Sequence, residues 1–376
     1  MAISHNNARA KSKKRRLVMS HRSRNILLTV IVVFVIVAII VGIFVSAGLA
    51  PLKLTEQTFS KETQHGYTGG GFYVINGTTI KYIDDKKPEL NSERSINTEN
   101  IKLVACPELS LIYTSNAIYV LNTENPIDMG GTILNVKCGS SHIGVFVEDD
   151  KGEQFIAVLD SSLKEVNRIT FTDTNPIDFG FDTTRGDVLW TLDVDVNTSK
   201  PISTFRTYDL KKRSASGMIT VQGELVEDVA FTQNSVFLVG TSTLMCYDRS
   251  RNTQNYRLQC YGRELLDVSY VDDYVMMVFR DRGAQDYSKV IIYALSDTAE
   301  RDPVMRTITL PDETLAVYSV ANRMVVVLPD KVVKYRASGS IDKEKQFDSP
   351  IDAVEKLTGG RILVYRGNVP YMADIG

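Results

Sequence analysis

GFYVINGTTIKYID, Gly71–Asp84, is an apolar run, a turn at Asn76-Gly77 and a second run ending on aspartate. Valine, isoleucine, tyrosine and phenylalanine around a tight turn are the signature of a β-hairpin. The unit recurs as LSLIYTSNAIYVLN from Leu109, HIGVFVEDDKGEQFIAVLD from His142 and DVLWTLDVDVNTSKPISTFRTYD from Asp187. SVFLVGTSTLMCYD follows from Ser235 and YVMMVFRDRGAQDYSKVIIYALS from Tyr274. RMVVVLPDKVVKYRAS from Arg323 and GRILVYRGNVPYMADI from Gly360 complete the series. Successive copies start 33–49 residues apart, the spacing of four-stranded propeller blades.

Working outward from the hairpins, an inner strand precedes most copies: IKLVAC, ILNVKC, PIDFGF, VEDVAF, LLDVSY, LAVYSV and IDAVEK. An outer strand follows many of them, as in VNRITF, GMITV, NYRLQ and MRTITL. The first copy has no obvious inner strand and the last has no outer one. Ring closure predicts such a gap, with the segment around Leu54–Phe59 lending a strand so that no sheet edge is bare. The fold expected is an all-β propeller of eight blades over residues 71–376, or seven if the first copy is irregular, with 51–70 as stalk and closing strand.

Upstream, Ile26–Ala50 holds no charged residue, and its only hydroxyl side chains are Thr29 and Ser46. As a helix it would measure roughly 37 Å, enough to cross a hydrocarbon core of about 30 Å. Residues 1–24 carry Arg9, Lys11, Lys13, Lys14, Arg15, Arg16, Arg22 and Arg24 and no acid. This excess predicts a basic cytoplasmic tail in contact with anionic lipid, a single transmembrane helix over 25–50 and a domain outside. Such a run is also too long for an ordinary cleaved signal peptide. Ala38, Gly42, Ser46 and Ala50 recur every four residues and would line one side of the helix, a stripe through which two copies could pack as a dimer. The whole chain is −2 and the tail +8, so the remainder carries −10, which disfavours nucleic acid as a partner.

Laid out as basic tail, single span and repeats, the chain resembles membrane-anchored β-propellers with quinoprotein-like or WD40-like blades. More closely, it resembles an uncharacterised family of single-pass envelope proteins of Gram-positive, clostridia-like bacteria. The resemblance implies an extracytoplasmic propeller of unknown activity.

Catalytic signatures are few. Quinoprotein blades dock through repeated tryptophans, and this chain has only Trp190. Of four histidines only His65 and His142 lie beyond the apolar run, and there is no HExxH or GxSxG, so neither a zinc site nor a serine hydrolase is indicated. Asp193, Asp195 and Asn197 imitate the start of a calcium loop, but Thr198 and Thr204 stand where glycine and glutamate are needed. Cys106, Cys138, Cys246 and Cys260 form no CxxC pair; Cys106 and Cys138 end neighbouring inner strands, where a bridge is conceivable, and buried thiols are the default. No cofactor or metal is expected.

One polar position repeats. Asn135, Asp178, Asp228, Asp267 and Asp352 stand near the start of successive inner strands, so they should gather at one mouth of the central channel. There they either tie blade junctions through backbone N–H groups or form a ring that binds a cation or ligand. Three hairpin turns, Glu148–Glu153, Val194–Pro201 and Asp281–Ser288, are longer than the rest and are candidates for recognition. The function expected is a membrane-tethered, extracytoplasmic binding or scaffold module for a protein or cell-envelope polymer. The alternative is an envelope enzyme acting on a glycan or small molecule at the channel mouth.

Overall fold

The computed structural model describes residues 29–39 and 51–376, apart from 97–99, 106–110, 121–125, 172–173, 183, 185–187, 272–273 and 297–302. The chain divides into two compact units, Met1–Ala50 and Pro51–Gly376. In the first, residues 29–39 are helical and exposed. Among the described residues no helix is long and apolar enough to cross a membrane. The rest of the expected span lies outside them, as do Gly42, Ser46 and Ala50 of the small-residue stripe; Ala38 alone is on the described helix.

Eight four-stranded antiparallel sheets make up the second unit. Seven blades use consecutive strands, for example Gly131–Cys138, His142–Asp149, Gln154–Asp160 and Glu165–Phe171 in the third. First strands of several neighbouring blades lie against one another, as Arg263–Val271 does against Ala316–Val320, which makes them the inner wall of the ring. The middle strands read as nearly unbroken apolar runs, as in Tyr274–Asp281 and Lys289–Ser296, because neighbouring blades cover both of their faces. Outer strands such as Ile341–Gln346 are mostly exposed and charged.

The ring closes as the gap at its two ends requires. The eighth blade takes Ala353–Leu357, Arg361–Arg366 and Val369–Asp374 from the end of the chain, and Thr55–Glu56 from its beginning pairs with Tyr371 and Met372. The described residues expected as a stalk belong to the propeller instead: Leu52 is buried, and Gln64–Tyr67 is the inner strand of the first blade, paired with Phe72–Ile75. That strand, QHGY, escapes pattern reading because it is short, polar at one end and interrupted by Gly66, whose missing side chain lets Ala105 approach.

The aspartate that ends the third strand in several blades has a local cause. Asp84, Asp160, Asp209 and Asp248 each accept two backbone N–H bonds from the turn that follows. These are Asx-type caps. The bonds hold all four carboxyls below their ordinary value, led by Ser162 for Asp160, Ser250 for Asp248 and the turn amides for Asp84 and Asp209.

Candidate functional site

Four of the five repeated polar residues share a backbone cause. The inner-strand register shifts between Ile133 and Asn135, Pro176 and Asp178, Val226 and Asp228, and Leu265 and Asp267. One extra residue is inserted just ahead of each polar side chain. Bulges of this kind re-aim the side chain that follows, and here they set Asn135, Asp178, Asp228 and Asp267 at equivalent places in blades three to six.

Their surroundings differ. Asn135 accepts from the N–H of Val136 at 2.8 Å, a local cap. Asp178 takes the Lys137 ammonium at 2.6 Å from the preceding blade, and that ammonium also lies 5.7 Å from the Phe179 and Trp190 ring centres. Asp267 accepts the Ser319 N–H of the next blade at 2.7 Å and pairs with Lys356 of the blade beyond. Asp178 and Asp267 therefore tie blade junctions. Asp228 has no hydrogen-bond or ion-pair partner among the described residues. Burial pushes its carboxyl above the ordinary range; the charges of Glu227 and Asp178 add to this and Lys137 opposes it.

Asp352 does not join the set. The eighth inner strand has no register shift, and Asp352 falls one residue before its first paired residue, Ala353. It is exposed and accepts the Gly367 N–H of its own blade. A one-residue offset in a strand turns a side chain to the opposite face. Nor is the set purely acidic, since Lys137 and Lys356 pair with two of its carboxylates.

Sequence reading missed a second cluster, at the seam between the eighth and first blades. His65 Nδ1 lies 2.7 Å from the Thr63 carbonyl and Nε2 lies 3.1 Å from Glu355 Oε2, which also accepts the Tyr365 hydroxyl at 3.1 Å. An imidazolium, donating from both nitrogens, satisfies this arrangement. Burial pulls His65 down, but the Glu355 hydrogen bond, the Thr63 carbonyl and the carboxylate charge together raise it. The signal that could have found it is the strand assignment of Gln64–Tyr67, which moves His65 from a stalk to the inner wall.

The remaining candidates are structural. Asp193 is buried in an ion pair with Arg206, while Asp195 caps Asn197 at 2.8 Å, so the calcium-like residues do not converge. No group of three metal-ligating side chains occurs among the described residues. His142 Nδ1 sits 2.9 Å from the Ser141 hydroxyl at a strand start. Cys138 is disulfide-bonded, whereas Cys246 and Cys260 are buried thiols outside any disulfide; Cys106 lies outside the described residues. Burial pushes the Cys260 thiol up to about 11, which makes it inert at neutral pH.

Solved structures of similar fold include BamB from Moraxella catarrhalis, at 10% identity and a TM-score of 0.51, covering 86% of this chain and 99% of that one. Saccharomyces cerevisiae Sqt1 aligns at 10% identity and a TM-score of 0.54, covering 88% and 100%. The Dos1 propeller aligns at 11% identity and 0.55, covering 86% and 95%. At such identities the likeness shows the propeller fold alone. No curated protein matches the sequence. A family described as being of unknown function, DUF5711, matches residues 53–301, about two-thirds of the chain, and the protein therefore belongs to that family.

Proposed function

We propose that this chain is a membrane-tethered binding module whose propeller lies outside the cytoplasm and engages a protein partner at the channel mouth around Asp228. The observation that carries the reading is the mouth itself. Fixed charges sit on bulged, rigid strands, and Asp228 is left without a partner among the described residues while its neighbours Asp178 and Asp267 are bound to lysines. A rigid rim of mixed charge favours recognition over flexible capture.

Tethering is supported by the uninterrupted apolar run at Ile26–Ala50, the basic residues before it and the helix over 29–39 within it. The disulfide at Cys138 supports an oxidising compartment. An enzyme acting at the mouth is the weaker reading, because the two lysines there are consumed by structural pairs.

The test places a photo-crosslinking residue at position 228 in the full-length protein in native membranes, with the same probe at Glu93 on an outer strand as control. A discrete crosslinked protein at 228 and none at 93 supports the reading. Identical patterns at both positions would overturn it.

A further inference from the structure

Each register shift in the inner strands leaves one residue with no partner across the ladder: Leu134, Ile177, Glu227 and Leu266. Two of them are accounted for within the propeller. Glu227 accepts the Arg282 guanidinium at 3.0 Å, and Leu266 packs against the core between blades six and seven. Leu134 and Ile177 are not, and they stand 42% and 45% exposed. They occupy the same position in blades three and four, on inner strands that lie against one another. Among the described residues no other exposed large apolar side chain stands on an inner strand; Met218, Met305 and Ile341, for example, are on outer strands.

Carboxylates flank this pair. Gly131 lies opposite Asp149 and Asn175 opposite Val194, so the hairpin turns Glu148–Glu153 and Val194–Pro201 rise from the sheet end that carries the bulges. The blade-three turn holds Glu148, Asp149, Asp150 and Glu153 against Lys151. Gln154 donates to Glu148 and two turn amides donate to Asp149, whereas the carboxylates of Asp150 and Glu153 have no partner among the described residues. The blade-four turn is balanced between Asp195 and Lys200 and puts Val196, 64% exposed, near its tip. On the far side blade five brings Asp228, which is accessible and likewise without a partner among the described residues. Lys137 is bound to Asp178 at 2.6 Å. Its charge favours the Asp228 carboxylate, yet burial and the charges of Glu227 and Asp178 outweigh it.

We propose that the partner protein docks on this face of blades three to five. An aliphatic or aromatic side chain of the partner seats on Leu134 and Ile177, and flanking lysines or arginines meet Asp228 and the blade-three turn. The proposal rests on the protein-partner reading above and gives that partner its chemistry. An apolar centre with charge around it is the arrangement that concentrates binding energy in a few side chains. Cations brought to unpaired carboxylates add attraction and fix register, and the same carboxylates repel a polyanionic polymer. Paired strands hold both parts in place, so little ordering entropy opposes docking.

The test uses the full-length protein in native membranes with a photo-crosslinking residue at Val196, which leaves Leu134, Ile177 and Asp228 intact. The crosslinked partner peptide, read by mass spectrometry, is expected to carry lysine or arginine beside an apolar residue. Leu134→Ser with Ile177→Ser should lower the crosslink yield about fivefold or more, and Asp228→Asn should lower it too. So should salt of about 1 M on the unaltered face, where the Debye length shrinks to about 3 Å; this arm does not depend on a variant folding. Ile341→Ser, on the outer strand of blade seven, should leave the yield unchanged. An acidic partner peptide, a yield indifferent to salt, or one that survives the paired serine change would overturn the proposal. A partner captured at 228 but not at 196 would overturn this docking face alone. None at either position would overturn the protein-partner reading, and the face with it.

Discussion

His65 of the first blade and Glu355 of the eighth are separated by 290 residues in sequence and by 3.1 Å in space. They meet at the seam where the ring closes, and their contact links closure to pH. His65 is raised, so its contribution is complete below its unfolded value of 6.5 and is lost as pH rises through the folded value. Glu355 is lowered, chiefly by the His65 hydrogen bond, so its contribution is complete above 4.5 and is lost as pH falls through its own folded value. The pair is strongest between those limits. Because Glu355 is half exposed, the effect is discounted to about 1 kcal/mol or less. Melting temperature should fall by about 2 °C between pH 6 and pH 9 in the wild type, and His65→Gln should flatten that slope. A slope unchanged in His65→Gln would remove the seam from the pH dependence.

Blades four and five are joined by a buried pair that should behave very differently. Asp182 is fully buried and ion-paired with Arg249, whose guanidinium also donates to the Thr184 hydroxyl at 2.9 Å and the Thr232 carbonyl at 2.8 Å. Removing one partner strands the other charge in the interior. Arg249→Ala should cost about 3–5 kcal/mol, whereas the double change Asp182→Leu with Arg249→Met should cost far less. Denaturant titration measures both; equal losses would mean the charge is not stranded.

How much of this was readable beforehand depended on distance along the chain. Hairpins, inner and outer strands and the closing segment near Leu54–Phe59 are local patterns, and they emerged from alternation and turn residues. The repeated polar residue at Asn135, Asp178, Asp228 and Asp267 is visible in the sequence, although the register shift ahead of each is not. Asp352 looked equivalent by spelling alone and differs because its strand lacks the extra residue. The His65–Glu355 and Asp182–Arg249 pairs join residues 290 and 67 apart. No local rule specifies such partners. Lys137 carries no local signal, since an isolated lysine on a strand ordinarily faces solvent; its partner Asp178 comes from the next blade.

Cysteine chemistry offers a check on compartment and fold together. With the protein denatured but not reduced, iodoacetamide should modify Cys246 and Cys260 and leave Cys138 untouched. Cys138→Ser should destabilise the domain by about 2–4 kcal/mol, the usual range for loss of a native bridge. Modification of Cys138 in protein taken directly from membranes, without reductant, would place the chain in a reducing compartment and remove one support for the extracytoplasmic reading.

Leu52 separates two pictures of the segment after the apolar run. A stalk would leave this side chain in solvent, and shortening it would change nothing. Instead it fills a site between the seventh and eighth blades, against Val332, Phe347 and Ile375. Its N–H is spent on Gln346, and the chain goes on to pair Thr55–Glu56 with the last strand. Removing a buried leucine side chain leaves a cavity that the surroundings only partly fill, at a cost of about 2–5 kcal/mol. The low end is expected here, because the site lies at the rim and the outer strands can relax. The loss should be local first. Hydrogen exchange in Leu52→Ala should accelerate at Met372 and at the Gln57 amide, which donates to Pro370 at 2.9 Å, before it accelerates in blades three to six. Uniform acceleration in every blade would show that closure and the rest of the ring unfold as one unit; no acceleration anywhere would return residues 51–59 to the role of a tether.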